Sequence, residues 1–171
     1  IKGIQIVRDE ELIAVLHEYP DIAEKALSKI IADFEIPEEA VDDVTIFKHL
    51  ENVATESEVV DSGGAIRTGE NLASQVVEQT YLNSYVAHAP IETHTALAKV
   101  EGNKATIWAS TQAPFRLQEQ VAELLDMDTE KVRVITPFVG GGFGGKTRGL
   151  QALQAARLSK ATGKPVQVAW T

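Results

Sequence analysis

Residues 139–147 read VGGGFGGKT, five glycines around one phenylalanine, closed by a lysine and a threonine. Glycines carry no Cβ, so consecutive N–H groups can converge on an oxygen-rich ligand, and a following helix adds the positive end of its dipole. The string satisfies both G-x-x-x-x-G-K-T, the phosphate loop of nucleotide hydrolases, and G-x-G-x-x-G, the dinucleotide fingerprint. A hydrolase would set Lys146 on the β and γ phosphates and Thr147 on magnesium, and would need a later strand ending in an acidic metal partner. The strand-like run that follows, VQVAWT, contains no Asp or Glu. A dinucleotide site needs an acidic residue about twenty positions onward, and none follows Thr147. A P-loop hydrolase using Gly140 to Thr147 therefore stands as an alternative, beside a glycine turn that serves only helix-to-strand packing. Phe143 speaks against the packing turn, because a bulky aromatic among glycines suggests a wall beside a ligand.

His88, Glu92 and His94 are separated by even numbers and would share one face of a strand. Pro90 interrupts that regularity and the helical H-E-x-x-H spacing is absent, so no metal ligands are assigned. Trp108 alternates with Thr106 and is expected in the core. Lys146, once its nucleotide role is set aside, is expected at a helix start with a solvated end. Arg116 and Arg148 are expected on the surface.

These residues need elements to hold them, and 171 residues with 44% apolar content suffice for one ordinary domain or two small ones. The net charge is -9 and the basic residues form no run, which disfavours nucleic acid and other polyanions. With no cysteine, the chain has no thiolate of its own for an iron–sulfur cluster. No apolar run reaches the length of a membrane span. The chain begins at Ile1 without Met and stops after the strand-like VQVAW, as an excerpt of a longer protein would.

ELIAVLHE reads as a strand, Pro20 opens the helical pattern DIAEKALSKII, and DFEIP reads as a short strand ended by Pro37. That order predicts a small α/β lobe. Residues 38–61 are acidic and mixed, with a helix around TIFKHLENV, and SGGAIRTGEN reads as a loop, with a domain boundary near residue 60. SQVVEQTYLNSY has strand composition. ALAKVEGNKATIWAS predicts a hairpin turning at Gly102 and Asn103. STQAPFRLQEQVAELLDM places Ser110 and Thr111 ahead of Pro114 and a helix with Leu117, Val121, Leu124 and Leu125 on one face. VRVITPFV predicts a strand, LQALQAARLSKATG a helix closed by Gly163, and PVQVAW a final strand. The fold class is therefore mixed α/β, with residues 1–60 as a lobe and linker and residues 61–171 as part of a second domain.

HAPIETHTA, STQAPF and VRVITPFVGGGFGGK occur in that order. Together they resemble the large, molybdenum-binding subunit of the molybdenum hydroxylases, the family of xanthine dehydrogenase and aldehyde oxidase. ELIAVLHEYPDIAEKALSKIIADFEIP is similar to the end of that family's α/β hammerhead lobe, so residues 61–171 would open its molybdopterin-binding domain. The resemblance implies that Gly141, Gly142, Phe143 and Gly144 contact the molybdopterin cofactor, in its simple or its cytosine-dinucleotide form, and that Gln112 makes a polar contact near the pterin. It implies hydroxylation of an aldehyde or an N-heteroaromatic ring with oxygen drawn from water. Electrons would leave through iron–sulfur clusters and FAD on companion subunits or segments. It places the catalytic glutamate base downstream of these residues, so the segment alone is expected to be inactive. Purine-oxidising members carry a glutamine where this chain has Val86, and an acidic residue where it has Thr147, which points away from purines and toward aldehydes or heterocycles such as isoquinoline or nicotinate. A non-catalytic assembly module is the remaining alternative. The cytoplasm is the expected location.

Overall fold

Gln5–Asp9 (β1) and Leu12–Leu16 (β2) pair antiparallel, turning at Glu10, whose φ is +52°. The sequence pointed to β2 alone, because β1 is mostly exposed and lacks the continuous apolar run of β2. Pro20–Leu27 (α1) then begins with proline, whose missing N–H has no partner to lose in a first turn. It ends before Ile30, which the helical spacing had included.

The computed structural model describes residues 1–37 and 41–170. Glu38, Glu39 and Ala40 of the acidic stretch, and the terminal Thr171, lie outside the described residues. Contacts divide the chain into two compact units, Ile1–Ala32 with His88–Thr171, and Asp33–Ala87. The second unit holds Ile46–Val53 (α2) and Ile66–Leu72 (α3), neither with a buried residue. The helix expected around TIFKHLENV is α2. The loop expected at SGGAIRTGEN instead contains α3, held by local bonds such as Gly69 N–H to the Ala65 carbonyl, 3.1 Å. Its glycines and lack of apolar periodicity concealed it. DFEIP and SQVVEQTYLNSY, expected as strands, form none. Composition suited both, but neither segment has a neighbouring strand to complete a ladder, and unpaired backbone does not make a sheet.

The first unit is built on a sheet of order β5-β4-β3-β6. Thr95–Glu101 (β3) and Lys104–Ala109 (β4) form the expected hairpin, with Gly102 taking φ +55° at its turn. Pro114–Leu125 (α4) carries the chain over to Val132–Ile135 (β5), which lies parallel to β4. Leu150–Thr162 (α5) ends at Gly163, φ +66°, the left-handed closing residue that its sequence predicts. Val166–Ala169 (β6) then pairs antiparallel with β3.

One face of the sheet carries Ala96, Ala98, Ala105, Ile107 and Ala109, and α4 and α5 cover it with Leu117, Val121, Leu125, Ala152, Ala155 and Ala156. Alanines on both sides allow helix and sheet to approach closely, so the core packs at interior density with few large side chains. Leu124 falls outside this stripe and stays partly exposed. Trp108, expected in the core, is half-buried on the opposite face, because strand alternation gives the covered face to Ile107 and Ala109. Where β3 meets α5, the buried Ser159 hydroxyl accepts the Val100 N–H at 3.0 Å and donates to the Lys164 carbonyl at 2.7 Å.

Candidate functional site

The glycine loop spans the gap between β5 and α5, and its backbone departs from regular geometry at several points. Gly141, Phe143 and Gly144 have φ of +85°, +51° and +95°. For Phe143 this conformation costs free energy, of order 1 kcal/mol or more. Its ring is exposed and lies over Gly141, where an added Cβ would come within 3.1 Å of the ring carbon Cε2. Glycine at 141 is therefore what lets the aromatic fold back across the loop.

Two anchors fix the ends of this loop. On one side the Glu92 carboxylate accepts the Gly140 N–H at 2.6 Å. On the other, Oε1 of Gln112 accepts the N–H groups of Gly144 at 3.0 Å and Lys146 at 3.3 Å. Between them, the N–H groups of Gly141, Gly142 and Phe143 carry no hydrogen bond among the described residues. Three consecutive unbonded donors in a glycine-rich turn are of the kind that receives an oxygen-rich or anionic group. A Cβ at Gly142 would meet Gln112 Cδ at 2.7 Å, so the loop has no room for a larger residue there.

Lys146 overturns its sequence-based expectation. The residue is fully buried, and Nζ donates to Oε2 of Glu92 at 2.5 Å, where the Glu92 side chain is 34% exposed. The Lys146 hydrogen bond, then the Gly140 N–H, hold the Glu92 carboxyl below its ordinary value, against a smaller opposing effect of burial. The reason is topological: the loop doubles back, and Lys146 falls in a short turn beneath it rather than on a solvated helix face. The Lys146 carbonyl in turn accepts the Gln112 N–H at 3.0 Å and the Thr111 hydroxyl at 3.2 Å. The Thr111 hydroxyl thus bonds the glycine loop while also accepting the Ala113 N–H at 3.1 Å just ahead of α4, where no side-chain cap bond forms.

A phosphate-loop reading does not survive this geometry. The lysine that should meet phosphates is sealed against a carboxylate, and the Thr147 hydroxyl donates to the Gly144 carbonyl at 2.8 Å. The helix starts only at Leu150, after Gly149 with φ +62°, so its first turn is displaced from the lysine.

The HAP-I-E-T-H segment lies alongside. Nε2 of His94 donates to the Gly145 carbonyl at 3.1 Å, which places the ring proton on that nitrogen. The His88 ring packs on Gly145, where an added Cβ would lie 3.1 Å from Cγ. Among the described residues no group of three His, Cys, Asp or Glu side chains could hold a metal ion. Arg116 and Arg148 are exposed, as expected, and Val86 is exposed in the second unit. Sequence reasoning singled out the loop and Gln112, weighed Glu92 in a metal trio that it set aside, and missed the Glu92 to Lys146 pairing, for which the sequence carried no local signal.

The profile of the molybdopterin cofactor-binding domain matches residues 48–171. The chain is 40% identical over 99 residues, 58% of its length, to the "Probable hypoxanthine oxidase XdhD" of Escherichia coli O157:H7, and covers 10% of that protein. It is 37% identical over 97 residues, 56% of its length, to the "Aldehyde oxidoreductase molybdenum-binding subunit PaoC" of Escherichia coli K12, and covers 13% of it. It thus spans about a tenth of the length of these relatives. In three dimensions it superposes on quinoline 2-oxidoreductase from Pseudomonas putida 86 with a TM-score of 0.66 at 24% identity, over 92% of this chain and 21% of that one, which shows the fold. Because the profile takes in both the histidine-bearing segment and the entire glycine loop, the strained turn and its two anchors lie inside a recognised architecture: the chain belongs to the molybdopterin cofactor-binding domain family, within the molybdenum hydroxylases.

Proposed function

We propose that these residues form part of a molybdenum hydroxylase that oxidises an aldehyde or an N-heteroaromatic substrate. The free N–H groups of Gly141, Gly142 and Phe143 carry the proposal. Glycine at 141 and 142 avoids a Cβ that would collide with Phe143 and Gln112, and the donors' chemistry suits a pterin-held metal with oxygen and sulfur ligands. Gly141, Gly142, Phe143 and Gly144 would line the cofactor. Gln112 uses Oε1 on the loop and keeps its Nε2 donors for a polar contact. When bound, the molybdenum cofactor, simple or as the cytosine dinucleotide, supplies oxygen insertion from water and accepts two electrons. The chain's own contribution is to hold donors toward it and to set the Phe143 ring as a wall that orients a flat substrate and excludes water.

The catalytic base and the remaining cofactor contacts are assigned to sequence outside these residues. Iron–sulfur clusters and FAD are assigned to companion subunits or segments, the clusters because these residues include no cysteine. Residues 1–60 are assigned to the end of a hammerhead-like lobe and residues 61–171 to the start of the cofactor domain.

The relative named a probable hypoxanthine oxidase favours a purine as second reading. Metal and pterin analysis of the full-length protein with its partners tests the main reading, and active enzyme lacking both would reject it. Turnover in ¹⁸O-labelled water, with aldehydes, N-heterocycles and purines compared, tests the substrate class. Label in the aldehyde or heterocycle product, with purines inert, is the expected outcome.

A further inference from the structure

The two anchors of the glycine loop differ in kind. Gln112 is an exposed neutral amide, whereas Glu92 joins the loop to a fully buried ammonium. Through Oε2, one carboxylate oxygen holds both Gly140 N–H, at the start of the loop, and Lys146 Nζ, at its end. The three unpartnered donors lie between those two points. Glycine at 140 is what lets the chain lie this close to Glu92, because a Cβ there would be 2.7 Å from the Glu92 Cβ. A charged clamp that closes both ends of a strained turn fixes the direction of its free N–H groups before any ligand arrives.

We propose that Glu92 and Lys146 are positioning residues for the cofactor, holding the donors of Gly141, Gly142 and Phe143 in their receiving orientation. The inference rests on the cofactor site proposed above. Neither residue needs to touch the cofactor.

A structural role and a positioning role separate in the double variant Glu92→Met/Lys146→Met. Replacing both members of this pair, of which Lys146 is the buried one, by apolar groups leaves no uncompensated buried charge, yet it leaves Gly140 N–H with no acceptor. In the full-length protein with its partners, the double variant is expected to unfold at a temperature close to wild type. Its molybdenum and pterin content should fall about tenfold, the scale typical of lost outer-shell support, and the electron paramagnetic resonance signal of its residual molybdenum should be altered. Glu92→Gln, which keeps an oxygen acceptor for Gly140, should load better than Glu92→Ala. A folded double variant with wild-type content and spectrum would overturn the proposal. So would failure of the double variant to fold, which would make the pair a folding element. Wild-type protein free of molybdenum and pterin would instead sink the cofactor site, and this inference with it.

Discussion

Lys146 and Glu92 meet across 54 residues of sequence, with Nζ 2.5 Å from Oε2, the ammonium fully buried and the carboxylate partly open to solvent. The asymmetry of exposure makes the two partners unequal. Removing Glu92 strands a charge with no access to water, whereas removing Lys146 leaves a carboxylate that solvent reaches and that still accepts Gly140 N–H. Glu92→Ala should therefore destabilise the fold by about 2–4 kcal/mol and Lys146→Met by about 1 kcal/mol. Thermal unfolding of the cofactor-free full-length protein would check the order, and equal losses would contradict it.

Acid should release the same clamp. Glu92 titrates below its ordinary value of 4.5 because its charged form accepts hydrogen bonds from Lys146 and Gly140. A carboxyl with a lowered value in the fold contributes stability that is complete above 4.5 and is lost as pH falls through the lowered value. Hydrogen exchange of the bonded loop amides, those of Gly140, Gly144 and Lys146, should thus stay slow down to pH 4.5 and accelerate, beyond the intrinsic trend, only below it. In Glu92→Gln that acid-dependent step should vanish.

Gly149 joins the loop to α5 with φ +62°, and a Cβ there would lie 2.7 Å from Cδ1 of the buried Leu117. Gly149→Ala is expected to cost about 1–3 kcal/mol, combining backbone strain with overpacking. Gly63→Ala, at a site with nothing within 4 Å, is the control and should stay within about 0.5 kcal/mol. Calorimetry of the two variants provides the comparison.

Ser159 gives a buried test of the helix-to-sheet seam. Its hydroxyl satisfies Val100 N–H and bonds the Lys164 carbonyl. Ser159→Ala leaves the Val100 donor unsatisfied in the core, for an expected loss of about 1–3 kcal/mol. Ser159→Thr, which restores a hydroxyl at the cost of an extra methyl, should recover part of it.

Arg157 ties the N-terminal hairpin to α5. Its Nε donates to Asp9 Oδ2 at 2.7 Å and its Nη2 to the Asp9 carbonyl at 2.9 Å, and the guanidinium also faces Glu10 and Glu11 at 3.5 and 3.7 Å. The hydrogen bond to Asp9 above all raises its already high pKa, so it stays charged throughout. Because these carboxylates are exposed, the tie should be worth only about 1 kcal/mol and weaken with salt. Arg157→Ala should speed hydrogen exchange in residues 5–16 while leaving α5 protected.

What the sequence made legible was whatever depends on local rules. The hairpin of β3 and β4 follows from alternation and a glycine turn, α4 and α5 from apolar periodicity with Pro114 and Gly163 at their ends, and the loop from its glycines. Segments 33–37 and 74–85 have strand composition too, yet β structure requires a partner, and composition cannot say whether one is near.

The candidate site divides the same way. By itself the sequence determined that backbone donors would be bared around Phe143 and that three ordered motifs belong to one family, because glycine spacing and motif order are properties of the chain alone. Only the tertiary structure decided that Lys146 is a buried clamp rather than a phosphate ligand, and which N–H groups remain free. The first outcome rests on a carboxylate 54 residues away and the second on that carboxylate and Gln112 together, partners that only tertiary packing brings to the loop, and no local pattern encodes those meetings.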